Sequence, residues 1–231
     1  MVTHSKLILA AMTAALVVSG SASQAAGPTT TGPARLDLTA SSSSHKVIFP
    51  DTDVAFRVDT EQGVATRADT TASTSATCDS CTGQSVSVHV LYLDQAPAVT
   101  LNNLAVAWGQ SCDWCRTSAV SLQVAVLTDP GPLTANNRAL SLNAACTMCA
   151  SRSAAYQLVV PGNGQARLSD STLAALETWA TDRARLLLQP PALAQLSTRT
   201  AKAQDLDDLA DLLKADLNAA PMAAHARLSG R

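Results

Sequence analysis

Aromatic residues are scarce in this chain: three Trp, two Tyr and two Phe among 231 residues. Its core must therefore come from Val, Leu and Ala, with little ring mass to anchor it. Charge is scarce as well, with 15% Asp, Glu, Lys and Arg and a net charge of −2. That leaves no electrostatic footprint for nucleic acid or an anionic membrane surface, and a nucleic-acid function is excluded. The catalytic signatures HExxH, GxSxG, GxGxxG and the phosphate-binding Walker loop are missing, so no enzyme activity and no cofactor are expected. Cysteine is missing everywhere except in three CxxC motifs. If all six are bridged, no thiol remains for Cys–His hydrolase chemistry.

The N-terminus reads as an export signal. Lys6 precedes an uncharged apolar run, Leu7 to Val18, and Ser23-Gln24-Ala25 fits a small-x-small cleavage site, giving a signal peptide over 1–25. The run spans 12 residues, short of the roughly 20 a bilayer requires, so no stable membrane span is expected after cleavage. No Cys lies near the cleavage site and no twin-Arg pair precedes it, which points to export of an unfolded, unlipidated chain. The expected location is secreted, or extracytoplasmic.

Residues 26–77 read as a leader rich in Ser and Thr. "GPTTTGPARLDLTASSSSH" and "ADTTASTSAT" bury too little apolar surface to offset their ordering entropy. A short β segment lies between them, where Val54, Phe56 and Val58 alternate with Ala55 and Arg57. From Cys78 the chain repeats. Overlaying 78–111 on 112–145 without a gap gives eleven identities in 34: Cys78/Cys112, Asp79/Asp113, Cys81/Cys115, Val86/Val120, Ser87/Ser121, Val90/Val124, Leu93/Leu127, Thr100/Thr134, Asn102/Asn136, Asn103/Asn137 and Ala105/Ala139. A third copy keeps Cys146, Cys149, Gln157 and Val160, then diverges after residue 165, as a terminal repeat does. The period matches tetratricopeptide repeats, but their Trp, Gly, Tyr and Pro pattern is absent. Each motif is instead followed by a Val-rich or alternating run, "SVSVHVLYL", "AVSLQVAVL" and "AAYQLVV". In the first, Val86, Val88, Val90 and Tyr92 share one face, and Ser85, Ser87 and His89 the other. "NNLAVAW" and "NNRALSL" also alternate, each after a double Asn suited to a turn. Two short strands per repeat are predicted.

The C-terminal part reads as helical. "SDSTLAALETWATDRARLLLQPP" has a Ser or Asp cap, a stripe of Leu173, Leu176, Ala180 and Leu187, and a stop at Pro190 and Pro191. "KAQDLDDLADLLKADLN" places Leu206, Leu209, Leu213 and Leu217 on one side. Its carboxylates Asp205, Asp207, Asp208 and Asp211 read as a solvated face, since the Gly and spacing of a calcium loop are lacking. The expected fold class is α+β: strand repeats of period 34, each headed by CxxC, then amphipathic helices. The expected domains are a CxxC-repeat domain over 78–189, ending in a helix, and a C-terminal helix and tail over 190–231.

Three chemistries compete for the thiols. Redox catalysis uses one CxxC at a helix start within a βαβ unit. Four-thiolate zinc uses two motifs, which leaves one pair over in six, and an exported chain meets an oxidising space. Structural disulfides are favoured, with no metal ligands assigned. In a turn, the two Cα atoms of a CxxC lie about 5–6 Å apart, within bridging reach; in an extended segment only pairing between repeats is possible. Polar Thr77, Asp79, Ser80 and Thr82 suggest a turn, hence local bridges Cys78–Cys81, Cys112–Cys115 and Cys146–Cys149, with fifteen connectivities formally open for six cysteines. One polar position recurs eleven residues beyond each first cysteine, as His89, Gln123 and Gln157. A structural hydrogen bond is expected there, to the backbone of a CxxC turn.

The series CxxC…Q-V-x-V…N-N-x-A…CxxC…Y-Q with a following Leu-rich helix, over about residues 78–190, resembles poorly characterised secreted bacterial proteins with regularly spaced CxxC motifs. The resemblance implies secretion and a shared Cys-repeat domain, without an activity. The expected function is a disulfide-stapled structural or binding domain with an unknown protein or envelope partner. The alternative is an extracytoplasmic thiol-disulfide or zinc-handling protein.

Overall fold

In the computed structural model the described residues are 32–46, 50–163, 166–189 and 199–230. The expected signal peptide and the proline stop at 190 and 191 lie outside them.

Eight strands run in chain order: β1 (Ala34–Ser44), β2 (Asp51–Gln62), β3 (Thr66–Ala76), β4 (Thr82–Asp94), β5 (Val99–Gln110), β6 (Arg116–Thr128), β7 (Leu133–Ala144) and β8 (Ala150–Pro161). Alternate strands pair in parallel, giving one sheet of β1-β3-β5-β7 and a second of β2-β4-β6-β8. The chain thus winds as a parallel β-solenoid of about four turns, two strands to a turn. Two helices follow, α1 (Asp170–Leu187) and α2 (Arg199–Leu217), then a last strand, β9 (Ala223–Gly230), antiparallel to β8. The architecture is mostly β rather than α+β, because the helices are an appendage to one face of the solenoid.

The tracts read as leader become strands. Residues 34–44 and 66–76 are β1 and β3, paired with each other along their full length. Their small side chains suit the narrow interior, where Ala40, Ala68, Ala72 and Ala76 are fully buried. In-register stacking supplies every peptide group of an inner strand with partners from two neighbours, so a stretch poor in apolar mass is ordered by its ladder. The period explains why these turns escaped the sequence overlay. Pairing steps by 32 residues at first (Ala34↔Thr66, Asp51↔Gly83), by 33 at Thr66↔Val99, and by 34 only from Thr82↔Arg116 onward.

The second sheet is buried on both faces over β4, β6 and β8. Outward, Val86, Val88, Val90, Val120, Leu122, Val124, Tyr156 and Leu158 pack beneath Leu176, Ala180 and Leu187 of α1 and Leu209, Leu213 and Leu217 of α2. Inward, Leu91, Leu93, Ala125, Leu127 and Val159 meet Leu36, Ala68, Val99 and Leu101 of the first sheet. The helix stripes follow the expected spacing, and Ser169 caps α1 by accepting from the Thr172 amide. Asp205 departs from the reading of a solvated acidic face. It is buried and accepts from Tyr156 Oη at 2.8 Å and from Arg183 Nη2, joining α1, α2 and β8. Burial pushes its carboxyl upward against the pull of Arg183 and the hydrogen bond from Tyr156. Asp207, Asp208 and Asp211 are exposed.

Both ends of the interior are sealed by polar groups. In β2 the inward positions carry Asp51, Asp53, Arg57 and Asp59; Asp53 Oδ2 accepts the Ser41 amide at 2.5 Å, and Asp51 takes the Ser43 amide. Among the described strands β2 is an edge of its sheet, and inward charge on an edge strand disfavours further strand addition. At the other end Asn137 Nδ2 donates to His225 O at 2.8 Å and Ser141 Oγ to Ser229 O at 2.9 Å. The tail from 223 onward therefore belongs to the solenoid as its closing strand.

Candidate functional site

The three CxxC motifs occupy successive corners, between β3 and β4, β5 and β6, and β7 and β8. Each corner shares one backbone feature with the others. Its third residue, Ser80, Trp114 or Met148, has a positive φ of 58°, 60° or 56°. Such left-handed conformations are uncommon outside glycine and are kept only where surrounding contacts enforce them. Those contacts are the hydrogen bonds between corners: Ser80 N to Asp113 O at 2.6 Å, Trp114 N to Thr147 O at 2.9 Å, Arg116 N to Cys81 O and Ala150 N to Cys115 O, both at 2.8 Å. The corners stack in register as the strands do, and this brings the six cysteines into one cluster.

Cys78 and Cys81 form a disulfide-like pair, as do Cys112 and Cys115, with Cα atoms 5.4 and 6.2 Å apart. Both separations fall within the range of local bridges. Cys146 and Cys149 are free thiols. Cys146 Sγ lies 3.4 Å from Cys112 Sγ, and Cys149 Sγ lies 3.7 Å from it while donating to Cys112 O at 3.2 Å. The absence of a side chain at Gly109 makes room, since a Cβ there would stand 3.2 Å from Cys146 Sγ. Cys112 and Cys115 are buried, whereas Cys146 and Cys149 are half-buried. Burial, followed by the hydrogen bond with Cys146, pushes the Cys149 thiol up to about 11. The approach of the third motif to the second follows from stacking and is not visible within any single motif.

The recurring polar residues meet in the interior rather than at the corners. His89, Gln123 and Gln157 are fully buried and stand in register. Gln157 Nε2 donates to Gln123 Oε1 at 2.7 Å; Gln123 Nε2 donates to Thr70 Oγ1 at 2.9 Å, with Ala68 O and Asn102 O at 3.3 and 3.4 Å. Thr70 Oγ1 lies 3.0 Å from His89 Nδ1, and His89 Nε2 lies 2.8 Å from Asp59 Oδ2. Chemistry fixes the direction of this chain. Nε2 faces a carboxylate, so it carries the proton; Nδ1 accepts from the Thr70 hydroxyl, which accepts from Gln123. Burial lowers the His89 pKa, outweighing the Asp59 carboxylate that favours charge. His89 is thus a neutral member of a structural ladder, sealed from any substrate.

The double asparagines lie within strands, not turns. Asn103 Nδ2 donates to Asn137 Oδ1 at 2.9 Å and to Tyr156 O at 2.8 Å, and Asn137 Nδ2 donates to Ala155 O at 2.8 Å. Facing inward, these amides join the two sheets by bonding carbonyls of the opposite one, so strand and amide stabilise each other. Thr70, Asn103 and the Tyr156–Arg183–Asp205 triad were the polar groups that sequence reasoning missed. Asp205 carried a usable signal: four residues before Leu209, it sits on the buried stripe.

Among the described residues no helix lies over the outer face of the first sheet. Its ladders run Asp37–Asp69–Asn102–Asn136 and Thr39–Thr71–Leu104–Arg138, then Ser41–Ser73–Val106–Leu140 and Ser43–Ser75–Trp108–Leu142. Polarity falls toward the last two strands, where Leu140 and Leu142 are 57% and 49% exposed. Among the described residues no helix is long and apolar enough to cross a membrane. No family model, curated protein or solved structure matches the chain.

Proposed function

We propose that the protein is a secreted, non-catalytic binding scaffold, stapled by disulfides at its corners and held through the open face of the first sheet to an envelope component or partner protein. The observation that carries this reading is the asymmetry of the solenoid. One sheet has its outer face covered by α1 and α2 over β4, β6 and β8, while among the described residues no helix covers the other, whose last strand carries the exposed apolar pair Leu140 and Leu142. Apolar side chains exposed side by side on a face that is polar over β1 and β3 mark an interaction site. Buried amide ladders occupy the interior, which suits a rigid support. The N-terminal apolar run and its small-residue cleavage site support export.

Expression of the full chain in a bacterial host, followed by fractionation, tests the reading. The expected product begins after Ala25, is extracytoplasmic, and partitions with the envelope, whereas L140K/L142K moves to the soluble extracytoplasmic fraction with its folding intact. Retention of the chain in the cytoplasm, or the same partitioning for both proteins, would refute it.

A further inference from the structure

We propose that the cysteine column is a thiol–disulfide exchange site, in which the Cys146/Cys149 dithiol attacks the Cys112–Cys115 disulfide and so passes a bridge from one turn of the solenoid to the next. Three observations meet here. Two free thiols of the next turn approach the Cys112 sulfur, Cys146 at 3.4 Å and Cys149 at 3.7 Å. The two corners are locked in register by Trp114 N to Thr147 O and Ala150 N to Cys115 O, so the sulfurs keep their approach. The two motifs also differ in access: Cys112 and Cys115 are 3% and 1% exposed, whereas the third pair is half-buried.

The exchange balances within the chain. Cys146, as thiolate, attacks Cys112 Sγ; the Cys112–Cys115 bond breaks, a Cys112–Cys146 bond forms, and Cys115 leaves as thiolate and takes up a proton. Cys149 then loses its proton and attacks Cys146 Sγ, forming Cys146–Cys149 and releasing Cys112 as a thiol. One disulfide and two thiols stand on each side, and no external oxidant or reductant is consumed. Cys146 is the first nucleophile because its sulfur stands nearer to Cys112 Sγ, at 3.4 Å against 3.7 Å for Cys149. The outcome is a relay. A buried bridge that solvent reagents reach poorly is made and broken through the more accessible one, and the chemical substrate is the protein's own disulfide. This is independent of the scaffold reading and of the face that binds a partner.

The trapping variant C115S/C149S leaves Cys112 and Cys146 as the only unpaired cysteines. In a glutathione disulfide buffer, non-reducing peptide mapping is expected to show a Cys112–Cys146 bridge, while C112S/C149S, which pairs Cys115 with Cys146, forms its bridge at least about tenfold more slowly. In wild type, one equivalent of dithiol reductant followed by acid quench and alkylation is expected to label both motifs, with label moving between them at a rate independent of protein concentration. The wild-type experiment stands even if loss of the buried Cys115 prevents folding of the variants. The proposal is overturned by label that stays in one motif, by exchange that scales with concentration, by a folded C115S/C149S without the cross-turn bridge, or by one zinc ion per chain held on Cys112, Cys146 and Cys149.

Discussion

Replacing Gln123 by Leu tests the interior ladder most directly. The side chain is fully buried, and its amide serves both neighbouring turns: it accepts from Gln157 at 2.7 Å and donates to Thr70 at 2.9 Å. Leucine is close in volume, so little cavity forms, and the cost comes from polar groups left behind. Gln157 Nε2 would keep only the long contact to Asn136 O at 3.4 Å, and Thr70 would lose a donor. Stranding a buried amide costs about 1–3 kcal/mol, partly offset by the apolar gain, so a net loss of about 2 kcal/mol is expected. For a domain of this size that corresponds to a fall of roughly 4–8 °C in Tm. Urea and thermal unfolding followed by circular dichroism measure it. The double variant Q123L/Q157L removes both members of one bond and should be less destabilised than the sum of the two single changes, with a coupling of about 0.5–3 kcal/mol. An unchanged Tm for Q123L, or strict additivity in the double variant, would refute the account of the ladder as a connected chain.

Two other perturbations probe different parts of the molecule. R183M leaves Asp205 buried with Tyr156 as its remaining partner; a loss of about 3–5 kcal/mol is expected, recovered in large part by R183M/D205L, and a loss under 1 kcal/mol would show the pair to be dispensable. His89 concerns pH. Its pKa in the folded chain lies below the ordinary value, so the unfolded chain binds the extra proton first, and stability is whole above about pH 6.5 and declines as pH falls toward the folded pKa. H89Q, which copies the residue one turn away, should flatten the fall in urea midpoint between pH 7.5 and 5.5; parallel declines in both proteins would count against a buried neutral histidine.

Much of this molecule was legible from residues alone. The 34-residue step, the two strands per turn, the Ser169-capped helix and the stripe of Leu209, Leu213 and Leu217 all follow from periodicity, because a face buried once per turn imposes its own spacing. The recurrence of His89, Gln123 and Gln157 marked a structural position without revealing its partners. What the pattern concealed was the start of the solenoid. β1 and β3 carry few large apolar side chains, and their 32- and 33-residue steps fall outside a fixed overlay.

Residue order alone sets the covalent repeat, the alternation that makes each strand, and the placing of thiols and amides at constant offsets. Tertiary structure decided which of those offsets touch. Parallel stacking converts equal spacing along the chain into contact across about one strand spacing, roughly 4.8 Å, so Cys146 meets Cys112 and Gln157 meets Gln123 although 34 residues separate each pair. It also decided that the double asparagines brace strands rather than form turns, and that Asp205 is buried rather than solvated. In each case the environment is made by residues from other turns or helices, and no local stretch of chain contains them.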